Sequence, residues 1–148
     1  GKKEGAILLL GGEPLAEGSG LFIPPTIFDE VTPEMTIYKE EIFGPVLAIT
    51  TAGSDDEALR LGNDTCYGLQ ASLFSGGLRN ALRGARELKA GTVSVNSYAE
   101  GDITTPFGGM KLSGFGGRDN GLEAFDQYLE TKTIWLDLSE YEIDAELD

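Results

Sequence analysis

The run Lys39-Glu40-Glu41-Ile42-Phe43-Gly44-Pro45-Val46 sets a carboxylate, an aromatic ring and a Gly-Pro turn within five residues. A ribose presents two vicinal hydroxyls, and the carboxylate of Glu41 can accept a hydrogen bond from each. Phe43, two residues on, could flank a flat heterocycle such as nicotinamide, with Gly44-Pro45 fixing the turn that places them. The same run also reads as a solvated glutamate pair ahead of a core phenylalanine, and composition alone favours that second reading.

Other stretches carry weaker chemistry. Glu100-Gly101-Asp102 falls between a strand candidate and Pro106-Phe107. Ligands bind at strand ends in α/β sheets, so two carboxylates there could meet a cationic substrate group. Taken alone, an ordinary polar turn is the better reading. Gly114-Phe115-Gly116-Gly117 lacks the third glycine of a dinucleotide fingerprint, since Asp119 stands in its place, and reads as a flexible loop. Gly11-Gly12 lacks the Lys-Ser/Thr of a phosphate-binding loop.

Cys66 is the single cysteine and the chain has no histidine. A Ser-His or Cys-His nucleophile pair is excluded. Cys66 is expected to be inert and partly buried, with the acids Asp55, Asp56, Glu57 and Asp64 near it in sequence disfavouring a thiolate. An intrachain disulfide is impossible, and a zinc site would need carboxylates alone, so no metal is expected.

The elements that must position these residues follow from pattern and punctuation. At 148 residues and 41% hydrophobic, the chain fits one domain with a real core. The net charge of −14 disfavours nucleic acid and anionic membrane surfaces as partners. No apolar run approaches a membrane span, and only Ala6 to Leu10 is apolar near the N-terminus, which is no signal peptide. A cytoplasmic location is the default. The chain lacks an initiator methionine and reads as beginning partway through an element.

Ala6 to Leu10 predicts a short buried strand, and Val46 to Thr51, Gln70 to Phe74 and Thr92 to Asn96 predict further strands. Thr26-Ile27-Phe28 follows a double proline and must lie at an edge or a bend. Ser54 with Glu57 three residues on predicts a capped helix running to about Gly62, with Ala58 and Leu61 inward. Leu78, Leu82, Ala85 and Leu88 mark the apolar face of a second helix, with Arg79, Arg83, Arg86 and Lys89 solvated and Gly91 closing it. Leu122, Phe125 and Leu129 mark a third, and Thr131 to Leu138 a final strand containing Trp135. The alternation predicts an α/β fold with a parallel or mixed sheet and flanking helices.

Taken together these residues resemble the C-terminal part of the aldehyde dehydrogenase superfamily. The resemblance rests on Gly1-Lys2-Lys3-Glu4-Gly5-Ala6, Pro25-Thr26-Ile27-Phe28 and Glu40-Glu41-Ile42-Phe43-Gly44-Pro45-Val46. It continues through Asn63 with Tyr67-Gly68-Leu69, then Ala90-Gly91-Thr92-Val93 with Val95-Asn96. It ends on Pro106-Phe107-Gly108-Gly109 with Lys111 and Ser113-Gly114. The order and gaps match as well.

The resemblance implies an NAD or NADP cofactor, NAD favoured, with Glu41 on the nicotinamide-ribose hydroxyls and Phe43 beside the nicotinamide. It places Phe107 in the substrate pocket, with Glu100 and Asp102 shaping the aldehyde entrance. Glu100-Gly101-Asp102-Ile103-Thr104 looks like the branch acting on γ-glutamyl-γ-aminobutyraldehyde and related aminoaldehydes. It implies that 1–130 is the C-terminal part of a catalytic domain, 131–138 an oligomerisation strand joining identical subunits, and 139–148 an acidic tail. The family's thiol nucleophile, general base and oxyanion-stabilising asparagine all precede this region, so the chain alone is expected to be inactive towards a small-molecule aldehyde. The competing reading is a non-catalytic paralogue that keeps the fold as a subunit-contact or binding module.

Overall fold

A computed structural model of the chain describes residues 1–13, 20, 22–98 and 101–139. The fold is mixed α/β, as the alternation predicts, but divided into two small sheets. The first holds β1 (Ile7–Leu10), β2 (Thr26–Asp29) and β3 (Val46–Ala48) in that order. β1 runs antiparallel to β2, with a register shift between Leu8 and Leu10. β2 runs parallel to β3, with Thr26 opposite Val46 and Phe28 opposite Ala48. The second holds β4 (Gln70–Leu73) and β5 (Thr92–Val95), parallel in register from Gln70↔Thr92 to Leu73↔Val95. The helices are α1 (Thr36–Lys39), α2 (Asp55–Asn63) and α3 (Leu78–Glu87). α3 makes the crossover from β4 to β5, the connection a parallel pair requires.

The start of α2 follows from its sequence. Ser54 Oγ accepts the Glu57 amide at 3.2 Å, and Glu57 Oε2 in turn accepts the Gly53 amide at 2.7 Å. The reciprocal bond thus lands one residue ahead of the cap. Three acids in the first turn face the positive end of the helix.

The core gathers Ala6, Phe28, Val31 and Met35, with Leu8, Ile37, Tyr38 and Val46 partly buried against it. It lies under β2 and α1, immediately beside the segment carrying Glu41.

Several expected faces are turned differently. β1 is an edge strand and exposed, with Leu9 and Leu10 more than half accessible. In α3 the buried residues are Ala81 and Gly84, whereas Leu78 and Leu82 face outward. The cause is close approach: a Cβ on Gly84 would stand 2.5 Å from Leu73 Cδ2, so only the smallest side chains fit against β4. In α2, Ala58 is exposed and Leu59 turns toward that seam instead. Leu122–Tyr128 winds as a 3-10 helix. Thr131 to Leu138 forms no strand, since it finds no ladder partner among the described residues, and its Trp135 is 92% exposed. Cys66 is exposed rather than partly buried. No helix among the described residues is long and apolar enough to cross a membrane.

Candidate functional site

The loop between α1 and β3 is pinned at both ends. The Glu40 amide donates to the Thr36 carbonyl at 2.9 Å, and the Pro45 carbonyl accepts the Thr26 amide at 2.8 Å. Thr26 is itself buried, its hydroxyl accepting the Gly12 amide at 3.1 Å and donating to the Pro24 carbonyl at 3.0 Å. Inside the loop the Gly44 amide donates to Ile42 and the Val46 amide to Gly44, both at 2.8 Å, making two successive three-residue turns. Phe43 stands on this bend with its ring 94% exposed. It is therefore no core residue, and the reading of a glutamate pair ahead of a core phenylalanine does not hold.

Glu41 opens on a cavity of about 280 Å³ whose lining includes Tyr67, Gly68, Lys89 and Ser113. No hydrogen bond or ion pair among the described residues engages its carboxylate. The Tyr67 hydroxyl is held above its ordinary range, first by the charge Cys66 takes up on ionising, then by desolvation, with Glu41 and Glu40 adding to it. A nicotinamide riboside needs an acceptor for a vicinal diol and a flat apolar face. The unengaged Glu41 carboxylate and the open Phe43 ring fit that demand.

Behind the cavity, residues from separated motifs meet through the backbone. The Gly68 carbonyl accepts two amides, Gly91 at 3.0 Å and Met110 at 2.8 Å, while its own amide donates to Ser113 Oγ at 3.0 Å. A Cβ on Gly91 would lie 1.6 Å from the Gly108 carbonyl oxygen, and one on Gly68 2.6 Å from that of Lys89. Lys111 Nζ donates to the carbonyls of Asn63 and Thr65, each at 3.0 Å, closing the C-terminal end of α2. These glycines admit close backbone crossings that any side chain would block.

Phe107 is half-buried and bridges Asp119, each amide donating to the other's carbonyl at 2.6 Å. Asp102 spends its carboxylate locally, accepting the Thr104 amide at 2.8 Å and its hydroxyl at 2.5 Å, which holds its pKa below the usual carboxylate value. Glu100 lies outside the described residues. Phe107 and Asp102 share one segment, tied by the Gly121 amide on the Ile103 carbonyl at 2.9 Å, and neither lines the Glu41 cavity. Thr36 was the residue that motif reading missed, because a threonine in a four-residue helix carries no pattern of its own.

The model of the aldehyde dehydrogenase family matches residues 1–134. An aminoacetaldehyde dehydrogenase of Pseudomonas aeruginosa is 55% identical over 124 residues, covering 84% of this chain and 25% of that protein. The NADP/NAD-dependent aldehyde dehydrogenase PuuC of Escherichia coli is 47% identical over 138 residues, covering 93% of this chain and 27% of that protein. Among solved structures, the indole-3-acetaldehyde dehydrogenase of P. syringae in complex with NAD+ superposes with a TM-score of 0.85 at 47% identity, over 93% of this chain and 28% of that one. The chain spans about a quarter of the length of the curated relatives it matches.

Proposed function

The chain belongs to the aldehyde dehydrogenase family, and on that premise we propose that it forms the part of an NAD(P)-dependent aldehyde dehydrogenase that holds the nicotinamide end of the cofactor. The observation carrying this reading is the pairing of an unengaged Glu41 carboxylate with the open Phe43 ring on a loop fixed at both ends. Glu41 accepts the ribose hydroxyls and Phe43 covers one face of the nicotinamide. The bound cofactor supplies a hydride acceptor, which oxidises the aldehyde to the acid. NAD is favoured over NADP because the P. syringae and Mycobacterium tuberculosis relatives were both crystallised with NAD+.

Phe107, with Glu100 and Asp102, shapes the aldehyde entrance. An aminoaldehyde substrate, including γ-glutamyl-γ-aminobutyraldehyde, suits a pair of acidic residues there, and the P. aeruginosa relative's name points to the same class. The nucleophile and general base lie outside this chain: Cys66 is exposed, and the sequence has no histidine to activate it. The enzyme works in the cytoplasm as a homo-oligomer joined through 131–138, where Ile134, Trp135 and Leu136 stand exposed.

The purified chain incubated with NAD+ and a panel of aldehydes tests this directly. No NADH should form, and robust turnover would overturn the proposal. In a complete dehydrogenase carrying this segment, Glu41→Gln should raise KM for NAD+ about tenfold, the scale of one charge-assisted hydrogen bond.

A further inference from the structure

We infer that Glu4 is a positioning residue for the Glu41–Phe43 loop, acting through Thr36; the inference rests on the cofactor reading above. Glu4 Oε1 accepts two donors from Thr36, its amide at 2.9 Å and its hydroxyl at 2.7 Å, across 32 residues of sequence. The Thr36 carbonyl in turn accepts the Glu40 amide at 2.9 Å, and the next residue is Glu41. One residue, Thr36, therefore links Glu4 to the start of the loop with three polar groups.

Among the described residues no other side chain caps this helix. α1 has four residues, too few to hold itself by its own hydrogen bonds. Its cap position is Met35, which offers no side-chain acceptor, so Glu4 supplies the cap from a distant turn. Met35 is buried and Ile37 and Tyr38 pack on the same core, while Tyr38 Oη donates to the Leu61 carbonyl at 2.9 Å. Apolar packing brings α1 to the core but is non-directional. The paired Glu4 bonds fix where along its axis the helix begins, and so where Glu40 ends it.

Glu4 is itself held firmly. It closes a 3-10 turn, Lys2–Glu4, followed by Gly5 in the left-handed region at φ 101° and by the buried Ala6. Its other oxygen accepts from the Gly1 nitrogen at 3.2 Å. The Thr36 amide and then its hydroxyl hold the Glu4 carboxyl well below the usual carboxylate range, so the acceptor stays charged across the working range. Aspartate is one methylene shorter and cannot reach both donors from the same backbone position.

The test is steady-state kinetics on a complete dehydrogenase carrying this segment. Glu4→Asp and Glu4→Gln should raise KM for NAD+ about five- to tenfold while KM for the aldehyde stays unchanged, as expected when a charge-assisted hydrogen bond is weakened. Thr36→Val, which keeps the amide but loses the hydroxyl, should fall between them and the parent, and Thr36→Ser, which keeps both donors, should restore the parent KM. Fluorescence titration with NADH, which reads only the folded fraction, gives the same ranking if a variant folds poorly. A merely structural role would lower the amount of active enzyme and leave both KM values alone, and that result overturns the inference. So does an unchanged KM for NAD+ in both Glu4 variants while Glu41→Gln raises it. If Glu41→Gln also leaves KM for NAD+ unchanged, the cofactor reading itself has failed and the inference falls with it.

Discussion

Asn63 reaches from the last turn of α2 to the chain leaving α3, its Oδ1 accepting the Lys89 amide at 2.7 Å while its Nδ2 donates to the Glu87 carbonyl at 2.9 Å. One side-chain amide thus satisfies a donor and an acceptor that the end of α3 leaves unpaired. Its neighbours Gly62, Leu88 and Lys89 line the Glu41 cavity. Asn63→Asp removes the donor and sets a carboxylate against the Glu87 carbonyl. We expect a loss of about 1–3 kcal/mol, read as a lower urea midpoint at an unchanged slope.

Gly91 should tolerate no side chain. With its Cβ position 1.6 Å from the Gly108 oxygen, alanine must push β5 away from the glycine-rich loop or flip a peptide. Gly91→Ala is expected to cost about 3 kcal/mol or more. Gly76→Ala, at a position where a Cβ meets nothing within 4 Å, is the matched control and should change stability little. Equal midpoints for the two variants would refute the crossing as described.

The Glu4 cap has an acid signature. Its carboxyl is lowered from 4.5 to about 2 in the fold. A lowered pKa means that the folded state binds this proton less readily than the unfolded chain, so the stabilisation is complete above 4.5 and disappears as pH falls toward 2. Glu4→Gln should flatten the acid limb of the stability curve within that window and leave its shape above pH 5 unaltered. A parent and variant with superimposable acid limbs would contradict the two Thr36 bonds.

The fold leaves large apolar side chains uncovered, among them Leu9, Leu10, Phe74, Leu78 and Trp135. Contiguous exposed apolar surface drives association, and β1 also offers an edge that no described residue pairs. The isolated chain should self-associate as its concentration rises. Sedimentation showing a clean monomer at high concentration would count against this.

Local signals were the legible ones. The Ser54-to-Glu57 spacing, the start of α3 and the alternation in Thr92 to Val95 could be read directly, because each depends on neighbours a few residues away; the end of α3 could not, since the chain leaves the helix in extended conformation at Leu88, three residues before the Gly91 expected to close it. The outward turn of Leu78 and Leu82 could not. Hydrophobic spacing defines a face, but the Gly84–Leu73 approach decides which face is covered. The strand expected over Thr131 to Leu138 needs a partner that no described residue supplies, and propensity alone is silent on partners. At the site, the roles proposed for Glu41 and Phe43 were suggested by residue type and spacing. Their support was not: Glu4, Thr36 and Thr26 act across 32 and 19 residues of chain, where no short motif extends.

Trp135 is the chain's single tryptophan and stands 92% exposed. Its indole is therefore a built-in optical probe of the segment 131–138. Emission from the isolated chain should lie at the long-wavelength end typical of hydrated indole. Anything that covers that segment should shift it to the blue, with no second tryptophan to dilute the signal. The chain thus carries, at the place where contact with another subunit is proposed, a reporter that needs no label.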